Sequence, residues 1–223
     1  MNNERLKVIL TGASGMVGEG VLIECLQHPR VEEVLVVGRR ACGHTHPKLK
    51  EVILPDLFNL KPIEGQLSGY NACFFCAGIS SVGMKEAEYT RITYTLTINF
   101  AETVSRLNPD MVFTYVSGAG TDSTGVGKTM WARVKGRTEN DLLKMSFKAV
   151  YNFRPGLMKA TQGQKNLLKL YKYFAWMYPV LRAIFTNLAC TLREVGLGMI
   201  NAAIYGFNKN VVEVKDIIKL ADL

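Results

Sequence analysis

Thr11-Gly12-Ala13-Ser14-Gly15-Met16-Val17-Gly18 is the stretch that most limits what this chain can fold into. Val8-Ile9-Leu10 before it is a short apolar run suited to a strand buried on both faces, and a helical pattern follows at Val21, Leu22, Cys25 and Leu26. The order is strand, tight glycine turn, helix. Three physical needs call for glycine in such a turn: a backbone conformation closed to residues with a β-carbon, an approach to a pyrophosphate too close for side chains, and tight packing of helix on strand. The N–H groups that open the helix have no intrahelical acceptor and point at a phosphate, where the helix dipole also favours negative charge. Gly12, Ser14, Gly15, Met16, Val17 and Gly18 therefore form the expected phosphate cradle of a dinucleotide.

The spacing T-G-x-x-G-x-x-G differs from the G-x-G-x-x-G of the general two-domain dehydrogenases. It resembles the short-chain dehydrogenase/reductase superfamily in its extended or atypical form. That resemblance implies an α/β fold, a doubly wound parallel Rossmann sheet with helices on both faces. A chain of 223 residues, 48% of them hydrophobic, suits one sizeable core. A single NAD(P)-binding domain over residues 1–223 is expected, with 157–205 forming a small substrate-side extension.

The formal net charge of +8 is scattered among apolar segments and forms neither a basic arm nor a nucleic-acid motif. A phosphorylated cofactor accounts for it, and nucleic acid is not an expected partner. The opening MNNERLKV lacks a secretory pattern, which points to a cytoplasmic protein. Cys25, Cys42, Cys73, Cys76 and Cys190 give no disulfide framework in a chain of this size. Cys73 and Cys76 have C-x-x-C spacing, but along a strand residues three apart face opposite ways, which suits neither a redox pair nor a metal pair. Cys42, His44 and His46 lack the second cluster that would close a four-ligand site, so no metal is expected and the loop reads as solvated.

Val34 to Val37 reads as the second strand, followed by Gly38-Arg39-Arg40. An NAD-selective site places an acidic residue about 20 positions after the glycine turn to take the ribose 2′-hydroxyl, and here arginines stand there instead. NADP(H) is therefore expected in preference to NAD(H). Arg39 offers a 2′-phosphate a planar, charge-assisted fork, while Arg40 stacks on the adenine or adds charge. Val52-Ile53-Leu54 reads as the third strand, and Asp56-Leu57 after it matches the superfamily's acidic-apolar pair beside the adenine. The fourth strand spans Ala72 to Gly78. Ligands lie outside the carboxyl ends of strands in open α/β sheets, so Cys76, Ala77 and Gly78 are expected to floor the cofactor channel. They resemble the superfamily's N-A-G with its first residue changed.

The next helix, Glu86 to Leu107, carries Ile98-Asn99 where extended members place V-N, which implies that Asn99 orders water and backbone near the active site. Val112 to Val116 forms the fifth strand and ends at Ser117. Superfamily enzymes use a Ser at this place to hold the substrate carbonyl or hydroxyl, then Y-x-x-x-K on the following helix. The i,i+4 spacing puts both side chains on one face, so the ammonium lowers the phenol's pKa and binds the nicotinamide ribose. This chain has Trp131-Ala132-Arg133-Val134-Lys135. The lysine is kept and the tyrosine is replaced. An indole N–H donates a hydrogen bond but has no accessible proton to exchange, and loss of general acid–base catalysis costs roughly 10²–10⁴-fold. Tyr94, Tyr115 and Thr129 are the nearest replacements in sequence.

Val150 to Phe153 forms the sixth strand, and Arg154-Pro155-Gly156 resembles the R-P-G that lines the cofactor in extended and atypical members. From Lys165 to Ile184, Leu167, Leu168, Tyr171, Phe174, Ala175 and Tyr178 recur at three and four. That segment is expected to be a core or pocket-lid helix, with a peripheral membrane or dimer contact as the alternative. It holds too many charges to span a membrane. A helix at 193–205, a strand at 211–214 and a short helix at 215–220 complete the chain.

The resemblance is closest to the compact Tat-interacting-protein type, and extends to NAD-dependent epimerase/dehydratase-like proteins. It implies an NADP(H)-binding oxidoreductase that acts on a small carbonyl or alcohol, with altered acid–base chemistry. The broken motif leaves a second reading, an NADP(H)-binding sensor or interaction protein with weak or no catalysis.

Overall fold

In the computed structural model, which describes residues 5–167 and 188–223, the glycine turn joins β1 (Leu6–Thr11) to α1 (Met16–Gln27). The remaining strands are β2 (Val31–Gly38), β3 (Leu49–Ile53), β4 (Ala72–Phe75), β5 (Val112–Val116), β6 (Ala149–Arg154), β7 (Leu157–Lys159), β8 (Ala189–Thr191) and β9 (Val211–Glu213). Seven of them form one sheet in the order β3-β2-β1-β4-β5-β6-β9, and every neighbouring pair is parallel. β7 and β8 pair apart from it. Strand order reverses between β1 and β4, so the crevice for a ligand opens at the carboxyl ends of those two strands.

Alternation along the strands sends side chains to two cores. Val8, Leu10, Val34 and Val36 pack on one face beneath α1, α5 (Leu192–Tyr205) and α6 (Val214–Ala221). Ile9, Leu35, Phe75, Phe113 and Tyr115 pack on the other beneath α3 (Leu96–Leu107) and α4 (Met130–Leu142). Cys73 belongs to the second core and Cys76 packs against the first, so the C-x-x-C pair points to opposite faces. Burial pushes both thiols well above the ordinary range, and both are free.

Three boundaries differ from the sequence-based reading. β3 starts at Leu49 rather than Val52, because backbone pairing with β2 runs from Val34–Leu49 to Gly38–Ile53 while Lys50 and Glu51 stay exposed on an edge strand. β4 stops at Phe75, since the Ala77 N–H donates to Thr11 Oγ1 at 3.2 Å instead of to a neighbouring strand. Cys76, Ala77 and Gly78 therefore lie in the loop beyond the strand. The helix expected over 86–107 is α2 (Glu86–Thr90) and α3 joined through a π-helical turn at Arg91–Thr95. The apolar segment expected to be a helix lies outside the described residues from 168 to 184. No helix among the described residues is long and apolar enough to cross a membrane.

Candidate functional site

Gly12 sits at φ +77°, where a side chain would be strained, and a β-carbon there would lie 2.6 Å from the Cys76 carbonyl. A β-carbon on Gly18 would lie 2.2 Å from the Gly12 carbonyl oxygen. The first contact closes the turn onto the loop after β4, and the second seats α1 against the turn. Gly15 meets neither restriction. It is exposed at the N-cap of α1, and no side chain caps the helix there. The two crowded glycines shape the turn, whose Gly15 N–H donates to the Gly12 carbonyl at 2.9 Å, while the open N-cap leaves the helix N-terminus without a side-chain cap, which fits a pyrophosphate on the N–H groups of Met16 and Val17. Ser14 lies in the same turn with its side chain partly exposed.

Arg39 and Arg40 project into solvent just past β2, and neither pairs with a carboxylate among the described residues. Asp56 is exposed, and its Oδ1 accepts from the Phe58 N–H at 2.9 Å, while Leu57 is buried in the second core. Gly78 is exposed with open space around it. Asn99 is partly buried on α3, and its side-chain amide makes no hydrogen bond to described residues.

The catalytic candidates meet between α4 and the loop after β5. Gly136 makes the approach possible, because a β-carbon there would overlap the Asp122 carbonyl oxygen at 1.8 Å. Trp131 and Lys135 stand one turn apart on α4, as the spacing requires. The indole of Trp131 lies against Gly120, with Cη2 at 3.6 Å from where a β-carbon of that glycine would be. The Lys135 ammonium donates to the Ser117 carbonyl oxygen. Desolvation pulls its pKa down to about 8, against an upward pull from Glu139.

Ser117 differs from the expectation that its hydroxyl faces a substrate. The residue is buried, and Oγ donates inward to Glu139 Oε1 at 2.5 Å and to the Phe153 carbonyl at 3.2 Å. Arg154 of the R-P-G is also directed inward. Its Nε donates to Glu139 Oε1 at 3.0 Å, Nη2 to Glu139 Oε2 and to Ser123 Oγ, and Nη1 to Glu213 Oε1 at 3.2 Å. Every guanidinium nitrogen is engaged within the protein, which raises the Arg154 pKa through Glu139 above all. The Pro155 carbonyl accepts from the Ala119 N–H at 2.9 Å, so the R-P-G turn braces the loop after β5. Gly156 follows in the same turn, where a β-carbon would strike the Leu188 carbonyl.

None of the replacement proton donors reaches this place. The Tyr94 hydroxyl donates to Asp141 at 2.9 Å, and Arg137 covers its ring at 4.0 Å. Tyr115 is sealed in the second core and its pKa is raised by burial. Thr129 is the exposed N-cap of α4.

Two carboxylates that sequence reasoning did not single out organise the site. Glu139 continues the Trp131–Lys135 stripe by one more helical turn, and that i+4 spacing was the available signal. Glu19 is fully buried in the first turn of α1, bonded by His44 Nε2 at 2.9 Å and by the N–H groups of Lys165 and Asn166 at 2.9 and 2.7 Å. The loop read as solvated is therefore partly tied down: Cys42 is buried, and the ring of His44 pairs with a buried acid. Among the described residues no group of three or more His, Cys, Asp or Glu is placed to share a metal ion.

A glycine turn feeding a bare helix N-terminus at the switch point of a parallel sheet defines a Rossmann-type dinucleotide-binding protein. Residues 8–129 match the model of the NAD dependent epimerase/dehydratase family, and the chain belongs to that family. It is 27% identical over 169 residues to "Protein fmp52-1, mitochondrial" of Aspergillus terreus, covering 73% of this chain and 71% of the relative. The protein of the same name from Aspergillus oryzae is 28% identical over 163 residues, covering 70% and 68%. The fold is shared with the Bordetella bronchiseptica enzyme WbmF, solved in complex with NAD+ (TM-score 0.68, 15% identity, covering 100% of this chain and 78% of that one). It is shared as well with Helicobacter pylori ADP-L-glycero-D-manno-heptose-6-epimerase (TM-score 0.66, 16% identity, 99% and 81%).

Proposed function

We propose that this chain binds NADP(H) in preference to NAD(H) and acts as an oxidoreductase on a small carbonyl or alcohol, with no proton exchange through residue 131. The uncapped helix N-terminus above the Gly12–Gly18 contact, together with two exposed arginines just past β2 that pair with no carboxylate among the described residues, carries the reading. Gly12 to Gly18 would hold the pyrophosphate, Arg39 and Arg40 the 2′-phosphate, Asp56 and Leu57 the adenine side, and Cys76 to Gly78 the channel floor. Lys135 would hold the nicotinamide ribose. The cofactor, when bound, supplies or accepts a hydride. The protein's own part is to orient the ribose, keep the buried side of the site dry and brace the loop at Ser117.

A second reading, an NADP(H)-binding sensor or interaction protein, is favoured by one observation. The Ser117 hydroxyl is consumed by Glu139 in a site that already lacks the tyrosine. Identification of any nucleotide retained by the purified protein, then NADPH oxidation followed by absorbance against a panel of carbonyl compounds, separates the two. NADP(H) is expected to bind at least about tenfold tighter than NAD(H), roughly 1.4 kcal/mol. Arg39→Asp is expected to reduce or reverse that ratio, and equal affinities in the unmodified protein would overturn the cofactor assignment.

A further inference from the structure

The fully buried Glu19 carboxylate is bonded from two directions. His44 approaches from the loop beyond Arg39 and Arg40, and the backbone of Lys165 and Asn166 approaches from the segment that follows the R-P-G turn. The second segment is fastened again one helical turn earlier, where Gln164 Nε2 donates to the Met16 carbonyl at 2.7 Å while its Oε1 accepts from the Thr161 N–H at 2.6 Å. Residues 161–166 thus form a strap across the first turn of α1. A carboxylate taken out of water needs such a set of donors, and their removal would leave it uncompensated. The strap carries one cation: the Lys165 ammonium donates to the Gly43 carbonyl at 3.0 Å, where it is solvent-exposed. Gly43 stands three residues after Arg40 in a loop whose Cys42 N–H is tied to Glu51 at 2.6 Å.

We propose that Glu19 anchors the 161–166 strap so that Lys165 joins Arg39 and Arg40 as a third cation for the 2′-phosphate of NADP(H). The inference rests on the NADP(H) reading and adds to it a residue 122 positions beyond the Gly43 loop. A lysine is a point charge on a flexible stem that keeps further N–H groups when one is given to a carbonyl, so it can turn to a phosphate without breaking the strap's backbone bonds. The strap also follows directly on β7, so the phosphate end of the cofactor and the substrate-side segment share one mechanical element.

The test is calorimetric titration of the whole protein with NADPH and with NADH. Lys165→Ala is expected to lower NADPH affinity about tenfold and leave NADH affinity within about twofold, with Lys165→Arg close to the unmodified protein. Glu19→Gln is expected to show the same selective loss. Since a buried change can disturb folding, the exposed Lys165 variants decide the matter alone where Glu19→Gln does not fold. Unchanged NADPH affinity in Lys165→Ala, or an equal loss for both cofactors, overturns the proposal. If Arg39→Ala loses NADPH selectively while Lys165→Ala does not, only the third cation is lost. If neither discriminates, the NADP(H) reading falls with it.

Discussion

Replacing Glu139 by Gln keeps the volume of the side chain and removes its charge. Glu139 is 1% exposed and the Arg154 side chain 11%, so the guanidinium left behind cannot recover much water. One carboxylate oxygen becomes an NH₂ group, and because Arg154 donates to both oxygens, either orientation of the amide sets that NH₂ against an Arg154 N–H, donor against donor, whereas the Ser117 hydroxyl can turn to accept. Arg154 retains Glu213 at 3.2 Å and Ser123, and Glu213 is 45% exposed, so compensation is partial. Breaking one side of a buried pair costs about 3–5 kcal/mol, and the surviving partners place this case near the lower end, about 3 kcal/mol. In a chain of this length each kcal/mol moves the midpoint by roughly 2–4 °C, so the melting temperature is expected to fall by about 6–12 °C. Thermal melts by circular dichroism and urea titrations, which avoid irreversible aggregation, measure the loss. The double variant Glu139→Gln/Arg154→Met removes the stranded charge and is expected to regain most of the stability. A single variant that melts within about 2 °C of the unmodified protein, or a double variant worse than the single by the full cost of a second lesion, would refute the account of Arg154 as a buried ion held by Glu139.

Trp131→Tyr is expected to leave NADP(H) affinity within a few-fold and raise any carbonyl-reductase rate by about tenfold or more, since only the transition state uses the new group. An unmodified protein that turned over rapidly and lost its activity on this change would show that the indole belongs to a working mechanism. Lys135 titrates near pH 8, below its ordinary 10.5, so between those values the unfolded chain holds the extra proton and stability rises with pH; Lys135→Met is expected to remove that component from urea midpoints across the window. Gly18→Ala forces a β-carbon into the Gly12 carbonyl, and is expected to cost about 1–3 kcal/mol of stability and more than about tenfold in nucleotide affinity, read by urea titration and calorimetry.

The glycine turn, the buried strands and the Trp131–Lys135 stripe were legible because each is a local pattern: a run of a few residues, a fixed offset, a period of two or of 3.6. The parallel order of the sheet followed from alternating strands and helices. What could not be read is what depends on partners far along the chain. β3 is extended by pairing with β2 through residues that look like a polar loop. The orientation of Ser117 is set by Glu139 on α4 and the Phe153 carbonyl on β6, and Arg154 is drawn inward by the same carboxylate. Glu19 looks like a surface acid in a helical turn until residues 146 and 147 positions away close over it. By itself the sequence determined a nucleotide-binding Rossmann chain, because glycine geometry and hydrophobic period are properties of neighbouring residues. Which polar groups of that site face a ligand and which are spent inside the protein was decided only by the tertiary structure, because a buried charge takes whichever donors the fold brings within hydrogen-bond reach.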